Sequence, residues 1–190
     1  MDIMKMIIGK VWKFGAGIDT DVIIPARYLV LPLEEMKNKA MEPLCPTFSA
    51  DFKRGGVIVA GKNFGCGSSR EQAPAVLKAL GVAAIIAESF ARIFYRNAIN
   101  LGIPVVECPG FSQQVREGDP VEIELSTGRI RLVERGSEFL GSKLPYFLLE
   151  IIEDGGLIQN LTKGQRPIEA PDASPDSYSA PPQTATKVRG

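Results

Sequence analysis

The densest group of reactive side chains in this sequence lies between Gly61 and Gln72, where the chain reads GKNFGCGSSREQ. Gly65 and Gly67 bracket Cys66 and let the backbone approach a ligand with no Cβ in the way. Ser68 and Ser69 bring hydroxyls, and Arg70 can fork onto a carboxylate or a phosphate. The preceding GGVIVAG is a β-branched run bounded by glycines, the pattern of a buried strand. The following SREQAPAVLKALG reads as a helix, with Ser68 as its cap, Glu71 completing a capping box and Gly81 as its stop. A turn from the carboxyl end of a parallel strand into a helix is where open α/β sheets bind ligands, and free N–H groups there favour an anion. The residues alone support two readings: an oxyanion site, or a glycine-rich turn whose serine only caps a helix. Two phosphate motifs are excluded. No Gly-Lys-Ser/Thr closes the loop, and a dinucleotide fingerprint needs glycine where Arg70 stands.

The elements that must position this loop follow the same grammar. VAAIIAES is a second apolar strand, SFARIFYRNAINLG a second helix ending at Gly102, and IPVVECP a third strand. Strand–helix–strand–helix–strand is the signature of a parallel, helix-covered sheet. Phe90, Phe94 and Tyr95 have core spacing, whereas Arg92, Arg96 and Asn97 read better as an exposed helix face than as site residues. Upstream, KMIIGKVWKFG is a first strand and IDTDVIIPARYLVL a loop entering an apolar run; Asp19 and Asp21 there are either turn-capping residues or functional ones. PLEEMKNKAMEPL, between prolines, reads as a mobile helical lid. After Pro109, EGDPVEIELSTGRIRLVE alternates like a β-hairpin with one wet face, and KLPYFLLEIIEDGGLIQNL closes with a helix or a strand–helix segment turning at Gly155 and Gly156. Residues 1–162 are expected to form one domain. Residues 163–190, rich in Pro, Ala and Ser, are expected to be a disordered tail that buries too little apolar surface to offset its ordering entropy.

Composition narrows the function classes. The 190 residues carry 22 basic and 22 acidic side chains, so neither nucleic acid nor an anionic membrane is an expected partner. Cys45, Cys66 and Cys108 have no metal-ligand or disulfide spacing, and the N-terminus has no signal-length apolar run, which points to a reducing, cytoplasmic setting. There is no histidine. Any proton transfer must use another residue or a partner's.

VIVAGKNFGCGSSREQAP, AESFARIFYRNAINLGIPVVE and the upstream GAGIDTDVIIPARYL together resemble the isopropylmalate dehydratase small subunits of the aconitase family, over roughly Lys5 to Leu161. The resemblance implies an α/β fold: an aconitase-type swivelling β/β/α domain with a parallel, helix-covered core and an added β-hairpin. It implies a large-subunit partner that carries a [4Fe–4S] cluster, with no cofactor and no metal held by this chain. The family's reaction dehydrates and rehydrates isopropylmalate, a step of leucine biosynthesis. By position, Ser68 matches the catalytic base and Asp21 an aspartate that pairs with a histidine of the large subunit. Ser69 and Arg70 match the residues that hold substrate carboxylates, with Gly65 and Gly67 beside them. Tyr28, Val30 and Leu31, in RYLVL, match the loop that selects substrate. An apolar Val30-Leu31 pair suits a branched alkyl group, whose burial contributes about 2 kcal/mol, although a buried strand explains the pair equally well. Gln72 departs from the family's usual histidine, and the Pro-rich tail is a second departure. The alternatives are a related hydro-lyase acting on homoaconitate, dimethylmalate or citraconate/methylmalate-type acids, or a non-catalytic carboxylate-binding module.

Overall fold

The computed structural model describes residues 6–163. Strands β1 (Met6–Lys13), β2 (Val57–Ala60), β3 (Ala84–Ala87), β4 (Val105–Glu107), β5 (Pro120–Glu124), β6 (Arg129–Leu132) and β7 (Ser137–Leu140) form one sheet in the order β4-β3-β2-β1-β5-β6-β7. The β1–β4 half is parallel and fully buried at β2 and β3, as continuous apolar runs require when both faces are covered. The β5–β7 half is antiparallel. β1 joins the halves. Its second part pairs with β2 in parallel, Val11 opposite Val57, and its first part pairs with β5 in antiparallel, Ile7 opposite Ile123.

The helices are α1 (Thr20–Ile23), α2 (Leu33–Met36), α3 (Phe48–Asp51), α4 (Gln72–Leu80), α5 (Arg92–Asn100), α6 (Phe111–Gln114), α7 (Tyr146–Glu153) and α8 (Leu157–Lys163). α4 and α5 are the crossovers that connect β2 to β3 and β3 to β4. α4 buries Ala73, Pro74, Val76 and Leu77 and ends at Gly81 in the left-handed region, where a residue without a Cβ is at no disadvantage.

Several expectations need correction. Ser68 does not cap α4: the helix starts at Gln72, Glu71 occupies the cap position, and no side chain caps it. Three residues of open loop separate the serine from that turn, so Glu71 cannot complete a capping box with it. The segment expected as a mobile lid holds α2 and a 3₁₀ turn, Lys37–Lys39, but Met36, Ala40 and Met41 are buried in the core and anchor it. Val30 and Leu31 belong to no strand. They follow a 3₁₀ turn, Ala26–Tyr28, with Val30 87% exposed and Leu31 half-buried against the core. The hairpin is present as β5 and β6, turning at Gly128, and gains an edge strand, β7. The expected tail falls outside the described residues, apart from Lys163, which ends α8.

No helix among the described residues is long and apolar enough to cross a membrane. The three cysteines are free, and among the described residues no three His, Cys, Asp or Glu side chains gather in a metal-ligating group. The donors here do not fit an iron–sulfur cluster.

Candidate active site

The loop between β2 and α4 is built by pairing with the segment before α1. Gly65 donates its amide to the Ile18 carbonyl at 2.7 Å, and Thr20 donates its amide to the Cys66 carbonyl at 2.9 Å. Asp19 and Cys66 form a parallel bridge. Thr20, only 2% exposed, extends this ladder with its side chain, its Oγ1 donating to the Ser68 carbonyl at 2.9 Å. The Ser68 carbonyl is thereby turned inward. Because the amide following it lies on the opposite edge of the trans peptide, the Ser69 N–H is directed away from Thr20. The backbone amides of Ser68, Ser69 and Arg70 donate to no other described residue, and neither serine hydroxyl has a described partner. Three consecutive amides without a described partner and two exposed hydroxyls are hydrogen-bond donors left available to an anion.

Gly65 is required here by two independent constraints. Its φ is +77°, and a Cβ would lie 2.1 Å from Cγ of Phe94. The Phe94 ring meets Phe64 edge-to-face at 5.1 Å, and Phe64 in turn meets Phe90 at 6.0 Å. This aromatic floor fixes the loop against the start of α5.

Ser68, Ser69 and Arg70 open into a cleft of about 360 Å³ with Gly65 and Gly67, opposite Arg92 and Asn97. No acidic side chain lines it. Arg70 is already engaged. Its Nη2 donates to Asp21 Oδ2 at 2.9 Å, Nη1 donates to Asp21 Oδ1, and Nη1 also reaches the Ile24 carbonyl at 3.3 Å. The hydrogen bond from Arg70 holds the Asp21 carboxyl below its ordinary 3.8. Asp21 is 56% exposed, so part of its carboxylate remains open to a second cation. Asp19 is the turn-capping residue of the two, accepting from the Val22 amide at 2.9 Å.

The structure thus brings Gly65, Gly67, Ser68, Ser69 and Arg70 together in one cleft and attaches Asp21 through Arg70. Tyr28, Val30 and Leu31 do not line that cleft. The Tyr28 hydroxyl donates to Glu42 at 2.5 Å, and the Arg27 guanidinium, itself 3.0 Å from Glu42, sits over the Tyr28 ring. Glu42, pulled below its ordinary carboxylate value by Tyr28 first and then by Arg27 and Lys39, locks the loop's base. Thr20 and Glu42 were missed by the motif reading. Thr20 carries one local signal: it is the single uncharged residue of DTD, between half-buried Asp19 and exposed Asp21. Arg92 and Asn97, read as an exposed helix face, border the cleft.

The Aconitase C-terminal domain family matches residues 43–109. The isopropylmalate/citramalate isomerase small subunit of Methanocaldococcus jannaschii is 54% identical over 162 residues, covering 84% of this chain and 96% of that protein. The 3-isopropylmalate dehydratase small subunit of Halothermothrix orenii is 50% identical over 157 residues, covering 82% and 95%. The crystal structure of 3-isopropylmalate dehydratase from Methanocaldococcus jannaschii superposes with a TM-score of 0.78 at 41% identity, covering 84% of this chain and 95% of that one. With half of the aligned residues identical across nearly the full length of such relatives, this chain belongs to the 3-isopropylmalate dehydratase small-subunit family.

Proposed function

We propose that this chain is the small subunit of a 3-isopropylmalate dehydratase, a hydro-lyase active only when joined to a large subunit and serving leucine biosynthesis. The observation that carries the reading is the cleft at Ser68: an exposed hydroxyl on a loop with three free amides, in a cleft that no acidic side chain lines. Ser68 takes the proton from the carbon next to a substrate carboxylate. A serine hydroxyl is too weak a base in water, and free amide dipoles with neighbouring cations make its alkoxide accessible. Ser69 and the amides of the loop hold a substrate carboxylate. The [4Fe–4S] cluster belongs to the large subunit, and the metal-assisted part of the chemistry is that partner's. The open face of Asp21 is available to a histidine from the same partner.

Substrate choice rests with the loop at Tyr28 to Leu31, which lies outside the Ser68 cleft and presents exposed Val30 as an apolar contact for a branched acid that extends beyond it. A relative named for both isopropylmalate and citramalate keeps a second hydro-lyase reading in view: the same chemistry on a smaller branched acid. The deciding experiment reconstitutes this chain with its large subunit and assays isopropylmalate, citramalate and homoaconitate. Turnover of isopropylmalate by the pair, and none by either chain alone, is expected. Turnover by this chain alone, or an inactive complex with every acid, overturns the reading.

A further inference from the structure

A single turn of helix grips the serine loop from one side. Thr20, the first residue of α1, binds it twice: its amide donates to the Cys66 carbonyl at 2.9 Å, and its Oγ1 donates to the Ser68 carbonyl at 2.9 Å. Asp21, next in the chain, takes the Arg70 guanidinium, and the Ile24 carbonyl accepts from the same side chain at 3.3 Å. Along the backbone of Gly67, Ser68 and Ser69, the bond from Thr20 Oγ1 is the only hydrogen bond made with any described residue. The next carbonyl held is that of Arg70, by the Ala73 amide at 3.2 Å. Gly67 lets the loop come this close: its φ is +88°, and a Cβ there would stand 3.5 Å from Thr20 Oγ1. Thr20 is 2% exposed and β-branched, so packing and a stiff side chain hold its hydroxyl in one place. That hydroxyl has one proton, and it is given to Ser68. Thr20 therefore has no proton to offer a substrate, and it acts through the loop.

We propose that Thr20 is a positioning residue for proton transfer. By holding the Ser68 carbonyl it fixes the Cα–Cβ direction of the serine, and the hydroxyl keeps only rotation about that bond. The inference rests on the proposed function for the role of Ser68 as base, but not for the fixing of Ser68 itself. In the reconstituted two-chain enzyme, Thr20→Val keeps the branched shape and removes the donor. Its kcat for isopropylmalate falls about tenfold or more, the scale on which a displaced reacting group is felt. KM stays within about threefold, because Thr20 does not hold the Arg70 guanidinium or the Ser69 hydroxyl. Thr20→Ser restores the donor and recovers most of kcat. An unchanged kcat in Thr20→Val, an equal loss in Thr20→Ser, or a rise in KM as large as the fall in kcat overturns the proposal. A second measurement separates its failure from that of the proposed function. In the full chain alone, the Ser68 carbonyl carbon and the Ser69 amide are followed by NMR, since both belong to the peptide whose oxygen Thr20 holds. In Thr20→Val both resonances shift and the Ser69 order parameter falls while the rest of the chain stays folded; in Thr20→Ser they keep their unmodified values. That result sustains the fixing of Ser68 even if no acid in the panel is turned over, which would overturn only the proposed function. Unchanged resonances and order in Thr20→Val overturn the positioning role. Should Thr20→Val fail to fold, Thr20→Ala set against Thr20→Ser makes the same comparison.

Discussion

Arg70 holds Asp21 through both terminal nitrogens of its guanidinium, joining two charges 49 residues apart in the chain. The carboxyl of Asp21 sits below its ordinary 3.8 chiefly because of that hydrogen bond, with the Coulomb attraction adding to it and desolvation opposing. A depressed folded value means that the pair stabilises the fold above the ordinary carboxylate range and loses that contribution as pH falls through the lowered value. With Asp21 largely exposed, the contribution is small. The expected outcome is a carboxyl resonance of Asp21 that titrates below 3.8 in the unmodified chain and moves upward in Arg70→Gln. An unshifted titration in both would show that the pair does not persist in solution.

Ser68→Ala should abolish turnover in the reconstituted enzyme, a loss of at least about a hundredfold for removal of the proton-transfer group. Subunit association should be untouched, because the Ser68 hydroxyl makes no bond to a described residue and only its carbonyl is tied, to Thr20. Activity within tenfold of the unmodified enzyme would remove Ser68 as the base.

The parallel half of the fold was legible because its signals are local. Each of β2, β3 and β4 is a short apolar run, and Gly81 and Gly102 mark the chain reversals after α4 and α5. What the sequence concealed was non-local. β1 alternates like an edge strand, yet it lies between β2 and β5, and nothing in MIIGKVWK says that it pairs in parallel on one side and antiparallel on the other. β7 has only four residues between Gly136 and Gly141, too few to show a period. At the site, Gly65, Gly67, Ser68, Ser69 and Arg70 share one cleft, as their nearness in the sequence implies. The Arg70–Asp21 pair and the Thr20–Ser68 bond depend on the loop docking beside residues 18–20, which no local pattern announces. The capping-box reading of Ser68 failed for the same reason. Its carbonyl is held by Thr20, and the chain turns helical only at Gln72.

Two glycines of the loop make different demands, and substitution separates them. Gly65→Ala meets both a positive φ and a Cβ 2.1 Å from Phe94, so it should destabilise the chain by more than about 2 kcal/mol. Gly67→Ala has the same backbone cost at φ +88°, but its nearest neighbour, Asp19 Cβ, is at an ordinary 3.4 Å, and the loss should stay near about 1 kcal/mol. Urea unfolding of the two variants checks the difference. Equal losses would mean that the Phe94 contact yields easily and that the aromatic floor does not fix the loop.

Val30 and Leu31, adjacent in the proposed selector loop, differ in burial and can be tested apart. Val30 is 87% exposed, so Val30→Arg should leave stability within about 0.5 kcal/mol. Leu31 packs on the core, and Leu31→Arg should cost about 1 kcal/mol or more by forcing a charge toward an apolar surface. If the exposed side chain contacts the alkyl group of the acid, Val30→Arg alone should lower kcat/KM for isopropylmalate relative to homoaconitate at least about tenfold, since a cation strands against an isopropyl group but pairs with an extra carboxylate. An unchanged ratio in Val30→Arg would place the selector elsewhere. A shift confined to Leu31→Arg, with its stability loss, would point to displacement of the whole loop from its Tyr28–Glu42 anchor rather than to direct contact with substrate.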